Sequence, residues 1–146
     1  MLPDFFTRAM EEQLGEDHRD LRLPPPVFET LPCDFTSYDR GKAALTARFP
    51  VKERYLNPYG TVQGGILAAF VDNVIGPLSM LAAPPNVTRR FEMKYSKPVT
   101  TDMEWVDVKA WLVSRESRLL EFSAEVRDPE GGLAARARAQ HWLLKE

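Results

Sequence analysis

Residues 64–82 constrain this chain more than any other stretch. They read GGILAAFVDNVIGPLSMLA, the one long segment of convincing helical character. Ile66, Leu67, Ala68, Ala69, Phe70 and Val71 cover every direction of a helix, so burial nearly all round is expected. Such a helix must find a sheet or other helices to cover it. Pro77 removes one backbone donor, frees the carbonyl of Asn73 and is expected to bend the second half. Pro84-Pro85-Asn86 then ends the helix.

The flanking segments alternate instead. In residues 104–112, Val106, Val108, Ala110 and Leu112 share a face opposite Trp105, Asp107, Lys109 and Trp111. Residues 120–127 set Leu120, Phe122, Ala124 and Val126 against Glu121, Ser123, Glu125 and Arg127. After a hairpin loop at 128–132, residues 133–144 set Ala135, Ala137, Ala139 and His141 against Arg136, Arg138 and Gln140. A period of two is the mark of half-buried strands. Further strands are expected at 27–35, where Pro32 restricts pairing to an edge or a bulge, at 43–51 and at 88–95. Phe6, Met10 and Leu14 recur at helical spacing and mark a short helix from about Asp4. Residues 15–26, ending in three prolines, read as a connection. The sum is an α+β fold, a long central helix on an antiparallel sheet of about five or six strands, with a short N-terminal helix.

Composition removes several function classes. The 146 residues suit one core, and 19 Lys+Arg against 21 Asp+Glu give no overall attraction for nucleic acid. A single cysteine, Cys33, excludes an intramolecular disulfide and a Cys-rich zinc site. His18 and His141 lie too far apart for a local metal-ligand spacing. The N-terminus lacks a signal-peptide pattern, and the apolar run 66–71 is far short of the ~20 residues that span a bilayer. A cytoplasmic protein with no membrane segment and no metal is expected.

Asp72 is the informative residue. It follows six apolar residues, and its helical neighbours Ala68, Ala69, Ile75 and Gly76 offer no cation. A carboxylate buried there is costly without a partner, so Asp72 is either a functional group or a helical aspartate that reaches solvent or a backbone amide of another element. Gly64-Gly65 opens the same helix, where the first amides lack internal acceptors and lie at the positive end of the dipole. An amide there can polarise a carbonyl. Two helical turns, about 11 Å, separate the amide from the carboxylate. If both act on one carbon, a symmetric dimer must combine Gly64 of one subunit with Asp72 of the other.

Asn57-Pro58-Tyr59-Gly60-Thr61-Val62-Gln63-Gly64-Gly65, followed by 66–71 and Asp72, resembles the Asn-x-x-Gly-x-x-His-Gly-Gly-x6-Asp pattern of hotdog-fold acyl-CoA thioesterases. The group most similar is the phenylacetate-degradation type, related to 4-hydroxybenzoyl-CoA thioesterases, and Asn57 to Asp72 match it without a gap. Tyr95-Ser96-Lys97-Pro98 resembles the family's strand end after the helix, and the likeness covers residues 27–144. The resemblance implies a hotdog domain at 27–146 preceded by a helix and linker at 1–26. It implies hydrolysis of a small or medium acyl- or aryl-CoA to free acid and CoA, with no cofactor beyond the substrate's own CoA. Asp72 would be the general base or nucleophile and the Gly64 amide the oxyanion donor. Asn57 would organise the site and Thr88 would position water. The implied substrate-binding set is Gln63, Gly65, Phe70, Arg89 and Arg90, with Phe70 lining an acyl pocket and the arginines meeting CoA phosphates. Gln63 stands where the family has histidine, and it can hydrogen-bond but not titrate. The implied assembly is a homodimer, or a tetramer of two dimers, with sites at the dimer interface.

Two rival functions share the fold. A dehydratase or hydratase acting on an acyl thioester generally needs a histidine with a carboxylate, and neither His18 nor His141 lies in a suitable motif. A non-catalytic acyl-CoA-binding protein would keep the fold and the interface without needing Asp72.

Overall fold

The computed structural model describes residues 2–15 and 21–145, so His18 lies outside the described residues. Three helices and six strands follow in the order α1 (Asp4–Leu14), α2 (Val27–Thr30), β1 (Asp34–Asp39), β2 (Ala44–Pro50), α3 (Gly64–Ala82), β3 (Asn86–Tyr95), β4 (Trp105–Glu116), β5 (Leu119–Arg127) and β6 (Leu133–Leu143). The strands form one antiparallel sheet ordered β1-β2-β4-β5-β6-β3. Alternation sets its two faces as expected. Val106, Val108, Leu120, Phe122, Ala124, Val126, Ala137 and Ala139 are buried on the face that carries α3. α3 packs against β2, β3, β4 and β5, and the whole is a hotdog fold.

The 27–35 segment differs from expectation. Its first half is the short helix α2, and the strand begins only at Asp34. Pro26 sits at φ −54° and ψ −30°, a pre-set helical conformation, and the amides of Phe28 and Glu29 bond to the carbonyls of Pro25 and Pro26. Leu31, at φ −122° and ψ 73° ahead of Pro32, lies outside the helical region that a following proline disfavours, and the chain leaves the helix there. The proline cluster therefore starts a helix rather than merely ending a linker.

α3 also corrects the sequence. It runs unbroken through Pro77, but it is not buried all round. Leu67, Phe70, Val71, Val74, Ile75 and Leu78 face the sheet, whereas Gly65 and Asp72 are exposed and Gly64, Ala68, Ala69, Gly76 and Met80 are half-buried. The open stripe is built of small residues, so hydropathy alone does not reveal it. By length and composition α3 could cross a membrane, with mean hydropathy 1.6, yet here it is the core helix.

α1 covers part of what the sheet leaves open. Phe6 and Met10 are buried, and the Phe6 ring stacks on Phe35 at 4.9 Å. The helix packs on α3 and β1 and joins the same core as the sheet.

Candidate active site

The turn before α3 is built around Asn57. Its side-chain oxygen accepts from the amides of Tyr59 (3.0 Å) and Thr61 (3.2 Å), and its amide donates to Thr61 Oγ1 (3.0 Å). Gly60 at φ +81° completes the turn in a conformation that favours glycine. These bonds hold Asn57 within its own loop. They act on the helix start through the backbone, which Tyr55 continues by accepting from the Gln63 amide (2.9 Å).

At the helix start, the Gln63 carbonyl accepts from Ile66 and Leu67. The amides of Gly64 and Gly65 have no acceptor among the described residues, as expected for the first turn of a helix. Tyr95, at the end of β3, donates its hydroxyl to the Gly64 carbonyl at 2.6 Å. Its ring lies so close that a Cβ at position 64 would meet it at 3.1 Å, which is the steric reason for glycine there. Gly65 is exposed with open space around it, and the Gln63 side chain makes no hydrogen bond among the described residues.

Two turns further on, Asp72 stands at the rim of a cavity of about 360 Å³ between α3, α1 and the start of β3. Its carboxyl is reached by solvent in the single chain, yet the surrounding protein desolvates it enough to raise its pKa above the ordinary value. Thr88 and His141 line the same cavity. Phe6, Met10, Leu23 and Phe28 supply an apolar wall.

The polar floor is ordered by a chain of hydrogen bonds whose directions can be read in sequence. Asn86 donates its side-chain amide to the carbonyls of Pro84 (2.9 Å) and Ser79 (3.3 Å). Its oxygen is thus left for His141 Nδ1 at 2.7 Å, so that nitrogen carries the proton. His141 Nε2 must then accept, and the Thr88 hydroxyl donates to it at 3.3 Å. The Thr88 oxygen keeps lone pairs that can accept a hydrogen bond from water. Burial at 2% exposure pushes the His141 pKa down to about 4, so the ring is neutral in this role.

That burial has a stability consequence. The unfolded chain binds the histidine proton near 6.5 and the folded chain only near 4, a difference of about 3 kcal/mol. Since the unfolded state holds more protons in this window, stability is complete above the higher value and falls as pH drops towards the lower. Urea unfolding across the window should show this decline, and His141→Gln should flatten it. An unchanged slope in the variant would contradict the buried neutral ring.

The remaining sequence candidates lie elsewhere. Phe70 is wholly buried in the core, stacked on Phe49 at 4.3 Å with Tyr55 edge-on, and it does not line the cavity. Arg89 stacks over Trp142 at 4.8 Å and Arg90 pairs with Glu92 at 3.1 Å. Trp142 and Gln140 alternate with His141 on β6, so these arginines lie on the sheet face away from Asp72. Lys97 is paired with Asp128 at the β5–β6 hairpin. Cys33 is pushed up to about 12 by burial, which leaves it an inert thiol.

Sequence reasoning missed Tyr95, Asn86 and His141 as parts of the site. His141 carried a signal. It falls on the apolar face of β6 beside Ala137 and Ala139, where a titratable ring needs a partner.

Comparison with known proteins decides the family. The thioesterase superfamily matches residues 59–135, which span the glycine pair, Asp72, Thr88 and strands β3 to β5. The chain belongs to the thioesterase superfamily. A Saccharolobus solfataricus protein that carries an esterase name is 22% identical over 139 residues, 93% of this chain and 96% of that one. A thioesterase-named phenylacetic acid degradation-related protein of Ralstonia eutropha superposes with a TM-score of 0.78 at 23% identity, over 96% of this chain and 100% of that chain. A Streptococcus mutans protein solved with acetyl CoA bound superposes with a TM-score of 0.71 at 18% identity, over 84% and 92%. At these identities the two solved structures show a shared fold.

Proposed function

We propose that this thioesterase-superfamily protein hydrolyses an acyl-CoA or aryl-CoA thioester, as a homodimer whose sites each combine Asp72 of one subunit with the Gly64 amide of the other. The observation that carries the reading is that Asp72 lines the same largely apolar chamber as a Thr88 hydroxyl held by a neutral His141. The acetyl-CoA-bound relative supports an acyl-CoA ligand.

In the proposed reaction Asp72, acting as base, takes a proton from a water that Thr88 also holds. The water oxygen attacks the thioester carbon, and the carbonyl electrons move onto oxygen, to which the Gly64 amide donates a hydrogen bond. Collapse of that intermediate breaks the C–S bond, and the CoA sulfur leaves with the proton returned by Asp72. A thioester is activated enough that one carboxylate and one backbone amide serve, so no cofactor is invoked. Because desolvation raises the Asp72 pKa, activity should fall on acidification at a pH above that of an ordinary aspartate.

Two features support the dimer. β3 is an edge strand with one side unpaired and with Val87 and Tyr95 exposed along it. The open stripe of α3 lies beside it, tied by the Tyr95 to Gly64 bond. A second copy pairing along β3 would cover both.

The test is thiol release from short-chain, medium-chain and aromatic acyl-CoAs. Turnover of at least one class is expected. Tight binding across the panel without thiol release would replace this reading with that of a binding protein.

A further inference from the structure

We infer that His141 is a positioning residue for hydrolysis: clamped between Asn86 and Thr88, it takes the Thr88 hydroxyl hydrogen for itself, so that Thr88 offers the attacking water only an acceptor. This rests on the proposed thioester chemistry and adds the group that decides how the water is turned.

The direction of that one hydroxyl matters. A water that donates one hydrogen to Thr88 and the other to Asp72 keeps its lone pairs for the thioester carbon. A free threonine hydroxyl can instead donate to the water, tying up the pair that must attack, or to the Asp72 carboxylate, weakening the base.

The ring that prevents this is fixed on every side. Asn86 is itself held by the carbonyls of Pro84 (2.9 Å) and Ser79 (3.3 Å), so its oxygen is the end that meets Nδ1 at 2.7 Å. Phe122 meets the imidazole edge-on at 5.0 Å. The β3–β6 register sets Thr88 directly opposite His141, beside the β3 bulge, and the hydroxyl reaches Nε2 at 3.3 Å. Among the described residues lining the chamber, Asp72 is the only other titratable group, and burial is the cause that keeps the ring neutral.

Threonine, histidine and amide also stand in the order of a nucleophile, its base and the group that orients the base. The surroundings favour positioning. A ring whose pKa is pushed down to about 4 gains little by taking an alcohol proton. Behind it stands an amide rather than a carboxylate, which leaves an imidazolium unsupported. Asp72, whose pKa burial raises, is the better base.

The test is a double-mutant cycle read in thiol release. Thr88→Val and His141→Phe should each lower kcat about tenfold, the worth of one well-placed hydrogen bond, with KM nearly unchanged. Together they should cost no more than Thr88→Val alone, because His141 acts through that hydroxyl. His141→Gln, whose amide can accept from Thr88 and donate to Asn86 without titrating, should keep most of the activity. Should His141→Phe fail to fold, nitrogen NMR of the wild-type ring still decides, with His141→Gln separating its signals from those of His18. Nδ1 should carry the proton at neutral pH, and the bare Nε2 should shift in Thr88→Val. Losses that add in the double variant overturn the inference, as does full turnover in His141→Phe. So does a proton on Nε2 at neutral pH, or an acyl group trapped on Thr88 by acid quench. A wild-type protein that releases no thiol removes the hydrolytic reading and this role with it, whereas turnover with additive losses removes this role alone.

Discussion

Asp72→Asn should lower thiol release by about 10²–10⁴-fold, the range that a positioned general base contributes. The substitution keeps the shape and removes the only function a base needs. The fold should be unaffected, because the carboxyl makes no hydrogen bond or ion pair among the described residues. Linkage gives the sign of any stability change. A carboxyl whose folded pKa is raised holds its proton more tightly folded than unfolded, so its ionised form costs stability above the unfolded value. At neutral pH the asparagine variant should thus be as stable as the wild type or slightly more so. Loss of activity with unchanged or raised melting temperature would mark Asp72 as a group kept for chemistry. Equal turnover in both proteins would remove it from the mechanism.

The fold was largely legible because strands and helix announce themselves by period. The alternation at 104–112, 120–127 and 133–144 matched the faces of β4, β5 and β6, except that Leu112 is only half-buried and Ala134 is buried beside Ala135. Misreading arose where local backbone chemistry outweighed pattern, as at Pro24-Pro25-Pro26, which pre-sets α2 in a segment that reads as a strand. α3 misled for a different reason. Gly65, Ala68, Gly76 and Met80 count as apolar or neutral, so a helix with one open face looks like a helix buried on all sides.

Site residues divide along the same line. Gly64 and Asp72 could be found from spacing within one helix. The pairing of Thr88 with His141 could not, since 53 residues separate them and only the β3–β6 register brings them opposite one another. Nor could sequence reveal that Arg89 and Arg90 point away from Asp72. A bulge between Thr88 and Arg90 resets the alternation of β3, placing Thr88 over the chamber and both arginines on the other face.

Subunits carrying Gly64→Pro should be nearly inactive as homodimers, and so should those carrying Asp72→Asn, whereas the mixed dimer should recover about half of wild-type turnover. The proline removes one N–H, and losing an oxyanion donor costs about 10²–10³ in rate. The first helical position tolerates proline, and Gln63 at φ −56° and ψ 137° already has the extended form that a following proline requires. Any side chain at 64 also presses on the Tyr95 ring. Gly64→Ala is therefore the control: it makes the same contact but keeps the amide, and it should retain far more activity than the proline variant. In the mixed dimer one site receives native Gly64 and native Asp72, while the other receives both lesions. If each site drew both groups from a single chain, every site in the mixed dimer would carry one lesion and no activity would return. Recovery thus distinguishes a shared site from a self-contained one, and the reason is geometric: about 11 Å of rigid helix separates the two groups within a chain, so one thioester carbon can reach both only if the second helix comes from the partner.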